Sequence, residues 1–153
     1  MRSLILGVLV CVGCSSSGDD GEEVVDCAKD LGQDNFIVGL EKVGTAGKLD
    51  FKLIASDHFP QDPGDNAWTI LISTMQGGSV TGPLVGASMS VTPFMPAHGH
   101  LAPKDVIVMP VAGADGQYTL SQINTWMPGL WETTIKVNGT DGDQVVFKTC
   151  IAS

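Results

Sequence analysis

Two stretches of this 153-residue chain carry side chains that could hold a metal ion. One reads Phe94-Met95-Pro96-Ala97-His98-Gly99-His100, the other Met127-Pro128-Gly129-Leu130-Trp131. Imidazole nitrogen binds copper in either oxidation state, and thioether sulfur is a soft donor that suits Cu(I). Pro96 removes a backbone donor and Gly99 loosens the chain, so the first stretch reads as a loop leaving a strand. In extended geometry His98 and His100 point to the same side. Met95, His98, His100 and Met127 are the ligand candidates, with copper as the ion. A plainer role competes: both methionines fill gaps at the end of a sandwich, and His98 bonds to backbone carbonyls. Met89 and Met109 lie on strand patterns and read as core. His58 stands in an acidic loop and reads as solvated.

The elements that must position these residues are strands. Nineteen Gly and eight Pro favour many short strands and turns over long helices. Period-two patterns run through residues 48–54, 68–75, 87–93, 105–111, 117–120, 129–137 and 144–150, with a further short strand expected at 36–40. Residues 57–66 hold two Pro, one Gly and three Asp among them and read as a loop. Gly113-Ala114-Asp115-Gly116 and Asn138-Gly139-Thr140-Asp141-Gly142-Asp143 are tight connections, the latter a turn despite its glycosylation-like triplet. Seven or eight strands joined this way predict an all-β fold, an immunoglobulin-like antiparallel β-sandwich. Trp68, Tyr118, Trp131 and Phe147 are expected to pack between its sheets.

Ahead of the strands, Arg2 precedes an apolar run from Leu4 to Gly13. A helix of that length reaches only about 15 Å, half of a bilayer core, so a secretory signal fits better than a spanning anchor. The junction Val12-Gly13-Cys14 resembles a bacterial lipoprotein signal, in which the Cys receives lipid and becomes the mature N-terminus. Plain secretion with Cys14 unmodified is the alternative. Residues 1–13 are thus the expected signal peptide, 14–26 the lipidated Cys and a Ser/Gly/acid linker too polar to fold, and 27–153 the sandwich domain. By resemblance to enteric lipoproteins, Ser15 directs the protein to the outer membrane. Of four Cys, Cys11 leaves with the signal and Cys14 takes the lipid. Cys27 and Cys150 remain in an oxidising compartment, and a disulfide between them would join the first element to the last. Metal ligation by both is the other option, but neither has a second Cys or a His at zinc-like spacing.

The segments 82–100, from Gly82-Pro83-Leu84 through Met95-Pro96-Ala97-His98-Gly99-His100, then Gly116-Gln117-Tyr118-Thr119, then Met127-Pro128-Gly129-Leu130-Trp131-Glu132, resemble the YtkA-like domain family. The resemblance covers about residues 66–150. Leu101 stands where that family often has another Gly. The resemblance implies an exported or lipid-anchored bacterial domain with an immunoglobulin-like sandwich. It is similar in pattern to FixH-type proteins and to domains found beside metal-efflux components. It implies copper handling through Met95, His98, His100 and Met127, and no catalytic residues.

Composition excludes other classes. With 17 acidic against 8 basic residues the net charge is −9, so nucleic acid is not an expected partner. No Gly-x-Ser-x-Gly, His-Glu-x-x-His, phosphate loop or Rossmann fingerprint is present, and an enzyme is not expected. Ser56-Asp57-His58 are consecutive, so their side chains alternate rather than converge. Two functions remain: a membrane-tethered module that binds or buffers copper, or a metal-free interaction and assembly module with an envelope protein partner.

Overall fold

The computed structural model describes residues 24–29 and 31–153; the expected signal (1–13) and the lipid-accepting Cys14 lie outside the described residues. Among the described residues there are ten strands and no helix. They are β1 (Glu41–Val43), β2 (Leu49–Ser56), β3 (Asp65–Gln76), β4 (Ser79–Pro83), β5 (Met89–Met95), β6 (His100–Leu101), β7 (Ile107–Pro110), β8 (Gln117–Asn124), β9 (Gly129–Val137) and β10 (Gln144–Ile151). One sheet runs β1-β2-β3-β8-β7 with β4 also on β3; the other runs β10-β9-β5-β6. Every pairing is antiparallel. The expected all-β sandwich forms.

Alternation explains the core. Leu49, Phe51 and Leu53 of β2, Trp68, Ile70 and Ile72 of β3, and Tyr118 and Leu120 of β8 face inward from one sheet. Val91, Ile135, Val137, Val145 and Phe147 answer them from the other. Successive strand residues point to opposite faces, so every second residue joins this layer. Trp131 is buried as expected, but it packs in a separate small cluster with Met95 and Ile151.

The strand count differs from expectation at the short elements. Residues 36–40 form a turn, because Gly39 takes a φ of 92° and the Leu40 amide donates to the Ile37 carbonyl at 3.0 Å. The first strand is instead Glu41–Val43. Strands β4 and β6 are additions; β6 has only two residues, too few to show a period. Met109 is not core: it is 61% exposed. It lies on β7, at the edge of its sheet, with one face uncovered.

The outer edge of β10 is closed by the chain before β1, by β1 itself and by the turn after it. Asp34 exchanges backbone and side-chain hydrogen bonds with the Lys148 backbone. The Lys42 ammonium donates to the Val146 carbonyl at 2.7 Å and to the Asp34 carboxylate. The Thr45 amide donates to the Gln144 carbonyl at 2.9 Å. Covering an edge in this way removes a template for pairing with other chains. Nearby, Cys27 and Cys150 form the expected disulfide, with Cα atoms 5.7 Å apart. The cross-link spans 123 residues.

At the far end of β9 and β10, buried Asp143 holds the β1–β2 turn against the β9–β10 turn. Its carboxylate accepts from the amides of Ala46, Lys48, Leu49 and Gln144 at 2.7, 2.9, 3.1 and 2.8 Å. Burial alone would push its pKa up, but the four donors outweigh that and hold it below the usual aspartate range. A carboxylate depressed in the folded state adds stability that is complete above the unfolded pKa and is lost as pH falls through the folded one. Asp143→Asn is therefore expected to destabilise the domain by about 2–3 kcal/mol at neutral pH. It should also flatten the loss of stability below about pH 4. Urea melts from pH 2 to 7 check both. Reducing the Cys27–Cys150 bond should lower stability by up to about 5 kcal/mol, read from melts with and without reductant.

Candidate functional site

The two Met-containing stretches meet at one end of the sandwich. Strand β5 pairs with β9 from Met89 opposite Val137 to Phe94 opposite Glu132. That pairing carries residue 95 to the level of the Met127–Trp131 segment. The side chains of Met95, Trp131 and Ile151 form one buried cluster, with Met127 and Ala102 packed against it. Met95 is only 1% exposed. Its terminal methyl lies where a side chain on Gly129 would stand, and Gly129 has a φ of 134°. The glycine thus answers two demands at once: a backbone conformation that other residues rarely adopt, and room for the Met95 methyl.

Histidines 98 and 100 are brought to this cluster by a turn over residues 96–99, in keeping with the loop expected to leave the strand here. The Gly99 amide donates to the Met95 carbonyl at 2.9 Å and the His98 amide donates to the same oxygen at 3.3 Å. Gly99, at a φ of 66°, completes the reversal. His100 then pairs across the hairpin with Met95, so the two Cβ atoms share a face. His98 is exposed on the turn, its ring 5.8 Å from that of His100. His100 itself is half-buried. Its ring sets an edge against Trp131, centroids 5.8 Å apart, and lies nearly parallel to Trp126 at 5.9 Å and 19°.

The nitrogens of His100 are distinct. Nδ1 lies 3.1 Å from the Leu101 carbonyl, which can only accept, so Nδ1 carries the proton. In the neutral ring Nε2 is then a bare lone pair. It is buried and has no hydrogen-bond partner. A carbonyl on one ring nitrogen that leaves the other free is how proteins orient a histidine toward a metal. A buried acceptor without a donor is otherwise unfavourable.

Several contacts fix the surroundings. Trp131 Nε1 donates to the Met127 carbonyl at 2.9 Å, holding the second stretch down. Thr125, next to Trp126, exchanges backbone hydrogen bonds with Gly64, and Asn66 donates to its hydroxyl at 3.0 Å. Lys104 bonds to Asp65 at 2.6 Å, and Asn124 donates to the same carboxylate, tying the segment after β6 to the other sheet. Those two donors hold the Asp65 carboxyl below its usual range. Ser153, two residues beyond Ile151, bonds to the Val25 backbone, so the start of the domain lies beside this end too.

All four candidate ligands therefore gather at one end of the sandwich. Met89 stays against the main core and Met109 is on the surface. His58 is part-exposed in its loop between Asp57 and Asp62, at 3.3 and 3.5 Å from their oxygens. Among the described residues no three His, Cys, Asp or Glu side chains form a metal-ligand group. A donor set here would have to include thioether sulfur. Trp126 was not foreseen. It lies outside any alternating strand pattern, and only its position directly before Met127 pointed to it.

Residues 45–136 match the YtkA-like family, and the chain belongs to that family. The matched range contains both Met-containing stretches. No curated protein and no solved structure matches the chain.

Gly129→Ala is expected to displace the Met95 methyl and to destabilise the domain by about 1–3 kcal/mol. Gly139 also has a positive φ, 104°, but open space around it. Gly139→Ala should therefore carry the backbone strain alone and leave the Met95 methyl resonance in place. Thermal melts and methyl NMR spectra of the two variants make the comparison.

Proposed function

We propose that this protein is a lipid-anchored, non-enzymatic module of the bacterial cell envelope that binds a copper ion through Met95, Met127, His98 and His100. The observation that carries the reading is the buried, partnerless Nε2 of His100, on the residue paired across the hairpin with buried Met95. The donors fit the ion: imidazole and thioether together are a copper set, whereas zinc joins imidazole to thiolate or carboxylate and hard cations draw on oxygen ligands. His98, exposed beside His100, is suited to receive or release the ion. When bound, the ion would supply no chemistry beyond its own storage and transfer. The chain's part is to hold Met95 and His100 in place through the hairpin and to shield them with two indoles.

The position of the tether supports this role. Val25 and Ser153 lie beside the Ile151 end of the cluster. With Cys14 lipidated, the tether would enter the domain at this end, where an ion could pass to or from a membrane protein. A metal-free assembly module is the second reading, favoured by the exposed apolar side chains of Leu101 and Trp126 at the same end.

Copper analysis after exhaustive dialysis distinguishes the two. The purified chain is expected to retain about one equivalent of copper. His98→Ala combined with His100→Ala should abolish retention. Because the His100 ring packs against Trp131, the exposed His98→Ala alone, expected to weaken retention without lowering the melting temperature, separates lost ligation from lost packing. Undiminished binding in the double variant would overturn the assignment to these histidines, and absence of retained copper in the parent chain would sink the copper reading.

A further inference from the structure

Resting on the copper reading, the geometry points to Cu(I) as the ion held, with the indole of Trp126 as its cap. Three observations converge. The first is the donor balance. Cu(II) favours tetragonal nitrogen and oxygen ligands, whereas thioethers select Cu(I). Only His98 and His100 offer nitrogen here, and no group of three His, Cys, Asp or Glu side chains occurs among the described residues. The carboxylates on the flanking strands have other partners: Asp65 holds Lys104 and Asn124, and Glu132 holds Lys148. Two methionines remain to complete the set.

The second is the indole itself. Trp126 is 50% exposed although it is a large apolar side chain, and it does not join either core cluster. Its visible contact is with the His100 ring, over which it lies nearly parallel. The indole presents its π-face rather than its edge to the imidazole. The electron-rich face of Trp attracts cations, and most strongly when they are poorly hydrated. A monovalent ion with sulfur ligands meets that condition better than a divalent one.

The third is the backbone that holds Trp126. Thr125 is pinned to Gly64 and Asn66, so the indole leaves a fixed point and its stacking is built in.

Titration of the full chain tests the inference. Cu(I) is supplied without oxygen against a coloured Cu(I) chelator, and Cu(II) is supplied in a parallel series. Cu(I) is expected to bind at one equivalent, at least about 100-fold more tightly than Cu(II), and to quench tryptophan emission. Trp126→Leu should weaken Cu(I) about fivefold and reduce the quenching to the part that comes from Trp131, whereas Trp126→Phe, which keeps a π-face, should weaken Cu(I) by only about half as much. Trp68, buried in the main core, reports whether each variant is folded. Tighter binding of Cu(II) overturns the inference but leaves the copper reading standing. Equal Cu(I) affinity in Trp126→Leu overturns the role of the indole. Binding of neither ion removes the copper reading and this inference with it.

Discussion

Strand β5 lies against β9 with Met89 opposite Val137 and Phe94 opposite Glu132, and the end of the molecule that gathers the candidate ligands exists only in that register. Side chains alternate with a period of two, so a slip of one residue would turn Val91 and Met95 out of the interior together. It would also part the 95–100 turn from the 127–131 segment. The adjoining register of β9 with β10 sets Ile151 opposite Gly129 and so completes the small cluster around Trp131. At the other end the same two strands are locked by Asp143, whose carboxylate collects four backbone amides. A sheet held at both ends cannot slide, and the ligand candidates inherit that rigidity.

The division of the interior into two clusters has a functional consequence. The larger one, between the sheets, is made of aliphatic and aromatic side chains and has only to exclude water. The smaller one, at the end, is built from Met95, Trp131 and Ile151, with Met127 against them. Methionine can serve there both as packing and as a soft ligand, because its thioether is apolar and polarisable at once. The plain role and the chemical role of Met95 are therefore not rivals. What departs from simple packing is His100, a ring ordered by a carbonyl on one side and left with a bare nitrogen on the other.

Much of the fold was legible because burial on one face writes itself into alternation. The long strands β2, β3, β9 and β10 were each readable from their inward residues, such as Phe51, Ile70, Ile135 and Phe147. The pairing of Cys27 with Cys150 was readable from their placement at the two ends of the folded region, since neither has a second Cys or a His at zinc-like spacing. The legible part ended where pattern and length became too short. Residues 36–40 look like a strand by composition, but Gly39 turns the chain. Strand β6 is two residues long and exists only because the 96–99 turn folds it back on β5. Met109 looks like core on an alternating run, yet its strand is an uncovered edge.

The four candidate ligands were likewise identifiable by type, since imidazole and thioether are uncommon and their spacing is visible in one dimension. The amino-acid sequence by itself determined the β class, the cross-linked ends, the acidic charge and the inventory of donors, because each depends on composition or on local periodicity. Only the tertiary structure decided that His100 folds back opposite Met95, that Met95 is sealed against Gly129, and that Trp126 lies over His100. The last two join segments far apart in the chain. They are set by strand register and backbone reversal, which depend on how the sheets pack and not on any short window of the chain.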